Sequence, residues 1–355
     1  MALLTRPIPR QGLSMIHVGI IGTGFMAATH LKAYLKIPGV HVSALCNPSG
    51  RNLDGDFSKV SGNLDTGAPL RLEPGSFRAY RSAVELFADA QIQAVDICTH
   101  TGTHESLSLA ALAAGKHVLC EKPVTRTGAS ARAIAAAAAE SNSIFMPAMC
   151  LRFWPEWSWL QAAIKTSVYG RVLSARFRRV AEPPAWGRAN FFNGAESGGA
   201  LFDLHIHDTD FVQFCFGRPR SVFSTGYTKF SGAIDHVVTQ YFVQSGAMVH
   251  AEGGWAMSSG FGFGMSYTVN FERATADYDS TRGADSLRLC VEGLPATTLK
   301  LDSSDGYLGE LKHFLQCIHN GTRPTVVTAE DGASAVEICE AEERSIRLGQ
   351  LVTLD

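Results

Sequence analysis

IHVGIIGTGFMAATHLKAYL, residues 16–35, is the stretch whose reading decides the fold. An apolar run rich in β-branched residues passes directly into G-T-G-F-M-A and then into a helical pattern. Gly22, Gly24 and Ala27 have the spacing G-x-G-x-x-A. The first glycine permits a tight turn, the second lets the backbone approach a pyrophosphate, and the alanine lets the helix pack closely. The helix N-terminus then faces the phosphates, where its unpaired N–H groups suit an anion. On this reading Gly22, Thr23, Gly24, Phe25 and Met26 contact a dinucleotide. The motif alone is a weak signal, and its setting has to strengthen it.

The setting does so. From 15 to about 148 short apolar runs such as VHVSALC (40–46), AVDICT (94–99), HVLCEK (117–122) and IFMPAM (144–149) alternate with helical patterns such as HESLSLAALAAG (104–115) and ASARAIAAAAAES (129–141). Strands that alternate with helices predict a parallel sheet covered on both faces. From 149 onward the rhythm turns strand-rich, with RVLSARFRRV (171–180), SVFSTGYTKF (221–230), HVVTQYFVQ (236–244), MVHAEGGWAM (248–257), YTVNFE (267–272) and SLRLCVEG (286–293). Helices are predicted near 155–166, 203–215, 307–319 and 329–348. The expected architecture is therefore α/β followed by α+β. A Rossmann-type, doubly wound parallel sheet spans 15–148, and an open, mainly antiparallel β-sheet flanked by helices spans 149–355. Residues 1–14 read as a disordered extension, too poor in apolar runs for a signal-peptide core.

Composition limits the partners. The 355 residues are 46% hydrophobic and 18% charged with a formal net charge of -2, enough for a sizeable core. No Lys/Arg run exceeds two residues, so no footprint for nucleic acid or an anionic membrane is present. No stretch reaches the roughly 18 apolar residues of a membrane span. The eight cysteines are scattered without a C-x-x-C, which predicts reduced thiols and a cytoplasmic location.

At the end of the second strand a dinucleotide fold puts a ribose contact. That position is Asn47, followed by Ser49 and Arg51. Without a carboxylate to repel a 2′-phosphate, the balance between NAD and NADP leans to NADP. Farther on, one strand ends at Thr99, a loop carries His104, and another strand ends in Glu121-Lys122-Pro123. Ligands in such a sheet lie outside the carboxyl ends of the strands, so Thr99, His104, Glu121 and Lys122 are expected at the nicotinamide end. A lysine there stabilises an oxyanion or lowers the pKa of a hydroxyl.

GGALFDLHIHDTD, residues 198–210, supplies the remaining chemistry. Asp203 and His207, four apart, share one helix face. A metal site would use His205, His207 and Asp208. Residues two apart on a helix diverge by roughly 200°, so the two histidines cannot converge. No metal is expected.

These motifs together resemble the glucose-fructose oxidoreductase / inositol dehydrogenase family, Gfo/Idh/MocA. The resemblance runs from about 15 to 353 through GIIGTGFMAATH, GTHESLSLAALAAGKHVLCEKPV, GGALFDLHIHDTD and the tail AEDGASAVEICEAEERSIRLGQLV. It implies an NAD(P)-dependent oxidoreductase that moves a hydride between nicotinamide and a secondary hydroxyl or carbonyl of a sugar, cyclitol or derivative. It implies a homodimer or homotetramer formed through the C-terminal sheet. Lys122 matches the family's active-site lysine, and Asp203 and His207 match its D-x-x-x-H pair. His207 then acts as base or acid, Asp203 orients the hydroxyl or raises the basicity of the histidine, and Lys122 stabilises the alkoxide. Arg152, Trp186, Arg188 and His205 are the expected substrate contacts. His205 stands where the family often has glycine, His100 where it usually has proline, and Ala200 where a third glycine is common. Two other uses of the fold keep the same motifs. One is cleavage of a glycosidic bond with a tightly held cofactor and no net redox change, and the other is nucleotide sensing without turnover.

Overall fold

A computed structural model describes residues 15–62, 70–187, 191–302 and 304–354. Residues 1–14, Arg188 and the side chain of Trp186 lie outside the described residues. The first half lays down β1 (Ile16–Ile21), α1 (Phe25–Tyr34), β2 (Val40–Cys46), β3 (Arg78–Tyr80), α2 (Ala83–Ala88), β4 (Ala94–Ile97), α3 (His104–Ala113), β5 (His117–Glu121), α4 (Gly128–Glu140) and β6 (Phe145–Ala148). The strands form a six-stranded sheet in the order β3-β2-β1-β4-β5-β6, and every neighbouring pair is parallel. β4 and β6 are buried along their whole length, as a sheet covered on both faces requires. The order reverses between β1 and β4, and the carboxyl ends of these strands open the crevice where such folds bind ligands.

The second half adds α5 (Pro155–Thr166), β7 (Val172–Ala181), α6 (Gly194–Ser197), a π-helical turn at Leu201–His205 running into α7 (Ile206–Phe216), and β8 (Ser221–Tyr227). Then follow β9 (His236–Phe242), β10 (Met248–Gly254), β11 (Phe263–Phe271), β12 (Ala274–Asp279), β13 (Leu287–Val291), β14 (Thr297–Thr298), α8 (Gly306–Asn320), α9 (Ala329–Leu348) and β15 (Val352–Thr353). The nine-stranded sheet runs β14-β13-β12-β11-β7-β10-β9-β8-β15. It is antiparallel except where β7 and β10 pair in parallel. In β9 the residues Val237, Thr239 and Tyr241 are buried while Val238 and Phe242 are exposed, the alternation of a sheet with one covered face. Trp157 on α5 anchors that covered face against Phe177, Phe211 and Tyr267.

The C-terminal helices return to the first sheet. Leu311, Phe314, Ala333, Val336 and Cys339 share a core with Val18, Ile20, Leu31 and Val124. Asp305 caps α8, and Thr328 with Asp331 forms a capping box at the start of α9. Among the described residues no helix is long and apolar enough to cross a membrane.

Candidate active site

A cleft of about 660 Å³ opens at the switch in strand order. Gly22, Gly24, Phe25, Met26, Asn47, Ser49, Arg51, Thr99, Glu121, Lys122 and Asp203 all line it. Gly22 has φ +90°, and a Cβ there would lie 2.5 Å from the Cys98 carbonyl oxygen, so only glycine fits. A Cβ on Gly24 would meet nothing within 4 Å, which leaves the backbone bare toward the cleft. The N-terminus of α1 carries no side-chain cap and no acidic residue in its first turn. These features suit the pyrophosphate of a dinucleotide.

Thr23 is buried beneath this loop instead of facing the cleft. Its hydroxyl donates to the Arg51 carbonyl (2.6 Å) and accepts from Asn47 Nδ2 (2.6 Å). Asn47 Oδ1 accepts from the Ser49 amide and hydroxyl at 3.0 and 2.9 Å. The 47–51 turn is thereby tied to the glycine loop, and Lys59 and Ser61 extend the same wall. No pattern in the sequence marked those last two residues, because a loop carries no periodicity. His104 is a second correction. It is buried, with Nδ1 2.8 Å from the Pro123 carbonyl oxygen and Nε2 3.1 Å from that of Thr99. It braces the segments that follow β4 and β5 and is not among the described residues that line the cleft.

At the other end of the cleft Lys122 Nζ donates to the Asp203 carbonyl (2.6 Å) and to Asp203 Oδ1 (2.9 Å). The β5 end and the 198–210 segment meet here, 81 residues apart in sequence. Gly199, at φ +67°, aims the chain into the π-helical turn, and a Cβ there would fall 2.5 Å from the Ile234 carbonyl oxygen. Asp203 therefore sits inside that turn. Burial pulls the Lys122 ammonium down in pKa, but Asp203 and Glu121 outweigh it and hold it above its ordinary value. His207 is half-buried, with no hydrogen bond to Nδ1 among the described residues. Burial, then the charges of Lys122 and Arg179, keep its pKa well below the ordinary imidazole value. His207 is thus a neutral ring within electrostatic reach of the Lys122 ammonium, and unlike Lys122 and Asp203 it is not among the described residues that line the cleft.

Two expected substrate contacts lie elsewhere. Arg152 is 3% exposed, with Nε and one terminal nitrogen on the two Asp210 oxygens (2.8 and 2.6 Å). Its other terminal nitrogen donates to the Val326 carbonyl (2.7 Å), so the whole guanidinium is consumed by the framework. His205 is fully buried, with Nε2 3.1 Å from the Tyr241 hydroxyl and 3.4 Å from Glu342 Oε2. It packs against Gly253, where a Cβ would come within 2.5 Å of its ring. Trp186 belongs to the short turn Ala185–Gly187, whose Gly187 lines the cleft beside Phe191, Glu196 and Ser197. Behind His207, Asp208 accepts from buried Arg179 Nε at 2.8 Å. The fold also brings His30, Asp96 and Cys98 within 4.8 Å of one another, a group that sequence spacing did not reveal.

A family model described as an oxidoreductase family with an NAD-binding Rossmann fold matches residues 16–149, and one described as the GFO/IDH/MocA C-terminal domain matches residues 157–277. Levoglucosan dehydrogenase of Pseudarthrobacter phenanthrenivorans is 30% identical over 211 residues, 57% of this chain and about half (52%) of that relative. Myo-inositol 2-dehydrogenase of Thermotoga maritima is 27% identical over 360 residues, 96% of this chain and 99% of that one. A solved structure of levoglucosan dehydrogenase in complex with NADH and levoglucosan superposes with a TM-score of 0.81 at 20% identity, over 96% of this chain and 100% of that one. At that identity the likeness is one of fold.

Proposed function

This chain belongs to the GFO/IDH/MocA family of oxidoreductases, and from that premise we propose that Lys122, Asp203 and His207 are its catalytic group, acting on a secondary hydroxyl or carbonyl of a sugar, cyclitol or derivative. The observation that carries the reading is the Lys122–Asp203 contact at 2.9 Å, which joins the two motif segments at one end of the cleft. In the oxidative direction the neutral His207 takes the hydroxyl proton, and the Lys122 ammonium stabilises the oxygen as it becomes an alkoxide. Asp203 keeps the ammonium charged and aimed, and its free carboxylate oxygen accepts from a neighbouring substrate hydroxyl. The nicotinamide, when bound, supplies the hydride acceptor or donor. In the reductive direction His207 returns the proton.

Cofactor choice follows from the other end. Asn47 offers no carboxylate against a 2′-phosphate, while Ser49, Arg51 and Lys59 line that wall. We infer that NADP binds at least as well as NAD. We also infer self-association as a dimer or tetramer through the outer face of the nine-stranded sheet, and a cytoplasmic location that fits eight free thiols.

The test is a panel of sugars, cyclitols and keto-sugars with NAD and NADP, followed by the absorbance of the reduced nicotinamide. Lys122→Ala and His207→Ala are expected to cost on the order of 100-fold or more in kcat. Unchanged turnover in both variants would sink the assignment. A combined Arg51→Ala, Lys59→Ala variant is expected to lose affinity for NADP and not for NAD.

A further inference from the structure

Beneath the Lys122 end of the cleft lies a set of buried ionisable groups that the reaction above does not use. His30, on α1, is fully buried. Its Nδ1 is 2.9 Å from Asp96 Oδ2 and its Nε2 is 3.2 Å from Glu121 Oε1, a distance for ion pairing though poorly aligned for a hydrogen bond. Glu310, on α8, is also fully buried, 3.9 Å from the same Nε2, and neither of its oxygens is hydrogen-bonded among the described residues. Cys98 Sγ lies 3.6 Å from Nδ1, and Tyr34, Tyr307 and Cys150 close the group from α1, α8 and the turn after β6.

The arrangement has a definite charge logic. A neutral imidazole has one N–H and can answer a carboxylate on only one of its nitrogens, whereas an imidazolium answers both. Burial opposes the charged ring, but Asp96 above all outweighs it, and the His30 pKa stands well above its ordinary value. Burial drives the Glu310 carboxyl well up, with His30 opposing and Glu121 and Asp96 adding to the rise, which leaves Glu310 neutral. Burial likewise holds the Cys98 thiol well above its ordinary range. The cation of this group is the ring itself. Glu121 is its link to the cleft, which it lines, and Glu121 Oε2 accepts the Lys122 amide N–H at 3.1 Å.

We propose that His30 is a positioning residue: as an imidazolium clamped between Asp96 and Glu121, it fixes the Glu121 carboxylate, and with it the Lys122 main chain, in the cleft floor for nicotinamide binding and hydride transfer. The proposal rests on the reading of the Lys122 end as the nicotinamide end. Without the ring's charge, the buried Asp96 and Glu121 carboxylates share no cation, and Glu121 loses the contact that holds it in place. Lys122 then loses the contact that sets its amide.

The experiment compares His30→Leu and His30→Gln with the wild type. NADH binding is followed by the fluorescence of the bound cofactor from pH 6 to 9, folding by circular dichroism, and kcat with the best substrate from the panel. His30→Leu is expected to weaken NADH binding and to lower kcat by roughly tenfold each, the scale of one lost charge-assisted contact. His30→Gln, whose amide can still donate toward Glu121, is expected to recover most of the binding. Two folded variants with wild-type binding and kcat at every pH overturn the proposal. So do equal losses in both, which would mark the ring as packing only. Should His30→Leu fail to fold, the ¹⁵N resonances of the wild-type ring decide: two protonated nitrogens at about pH 8 uphold the imidazolium, and a neutral ring overturns it. NADH binding needs no substrate, so a protein that binds NADH yet turns over no polyol defeats the activity reading and still tests the role of His30.

Discussion

Lys122 and His207 lie under the same roof of burial, yet their neighbours differ. Asp203 and Glu121 flank the lysine and hold its ammonium charged, whereas the histidine meets the positive charges of Lys122 and Arg179 and is held neutral. The consequence is a pH dependence with a definite sign. With His207 as the proposed base, turnover in the oxidative direction requires the unprotonated ring, so activity is expected to fall only when pH drops through a His207 pKa that lies below the ordinary value of about 6.5. A pH profile of kcat/KM for alcohol oxidation should therefore hold its plateau through the ordinary imidazole range at about 6.5 and decline only at lower pH. An acid limb at or above about 6.5 would remove His207 as the base. The segments that bring Lys122 and Asp203 to the cleft were legible in sequence because short motifs at strand ends and at helical spacing carry their own local geometry. His104, Arg152 and His205 were not. Each is a polar residue near a motif, and only its partners, Thr99 and Pro123, Asp210, and Tyr241 with Glu342, show that it serves the framework.

At the scale of elements, α7 carries the burden of orientation. Its Asp208 pairs with Arg179 on β7, and its Asp210 with Arg152 in the turn after β6. Arg152 also reaches Asp331 at the start of α9, 3.2 Å away, so one guanidinium ties three segments together. The side chains of Arg152 and Asp210 are only 2% and 1% exposed, and removing Asp210 leaves the buried guanidinium with Asp331 as its remaining carboxylate. Asp210→Ala is expected to cost about 3 kcal/mol of stability, read from urea unfolding. A loss below about 1 kcal/mol would mean that the pair contributes no more than a surface contact. The helix itself was visible in the sequence at 203–215. The π-helical turn at its head was not, since it follows two left-handed glycines, Gly198 and Gly199, the second lying so close to the Ile234 backbone that a side chain would not fit, a contact no local pattern shows.

For the whole molecule the open face of the nine-stranded sheet is the unpartnered surface. Phe223, Val238, Phe242 and Met248 are exposed on three neighbouring strands, with Phe242 and Met248 directly paired across β9 and β10. Under the proposed self-association, this apolar cluster on the uncovered sheet is the expected interface. Sedimentation should show a dimer or tetramer, and a Phe242→Glu, Met248→Glu variant should shift the population toward monomer without loss of secondary structure. A monomeric wild type at micromolar concentration would end that proposal. The long C-terminal helices also act at this scale. They follow the second sheet in the chain yet complete the core of the first, packing Leu311, Phe314 and Val336 beside Ile20 and Leu31.

What the amino-acid sequence determined alone is whatever depends on near neighbours. The glycine turn after β1, the alternation of strand and helix, the change to period two after residue 149, and the Glu-Lys-Pro and D-x-x-x-H segments all follow from spacing within a few residues, since backbone sterics and side-chain direction repeat at 2 and about 3.6 residues. What the tertiary structure decided is which of the polar residues meet. His30 reaches Asp96 across 66 residues, Arg152 reaches Asp210 across 58, and Lys122 reaches Asp203 across 81. Burial and charge, which give each of these groups its protonation state and so its role, are set by contacts over those separations, and no local pattern encodes them.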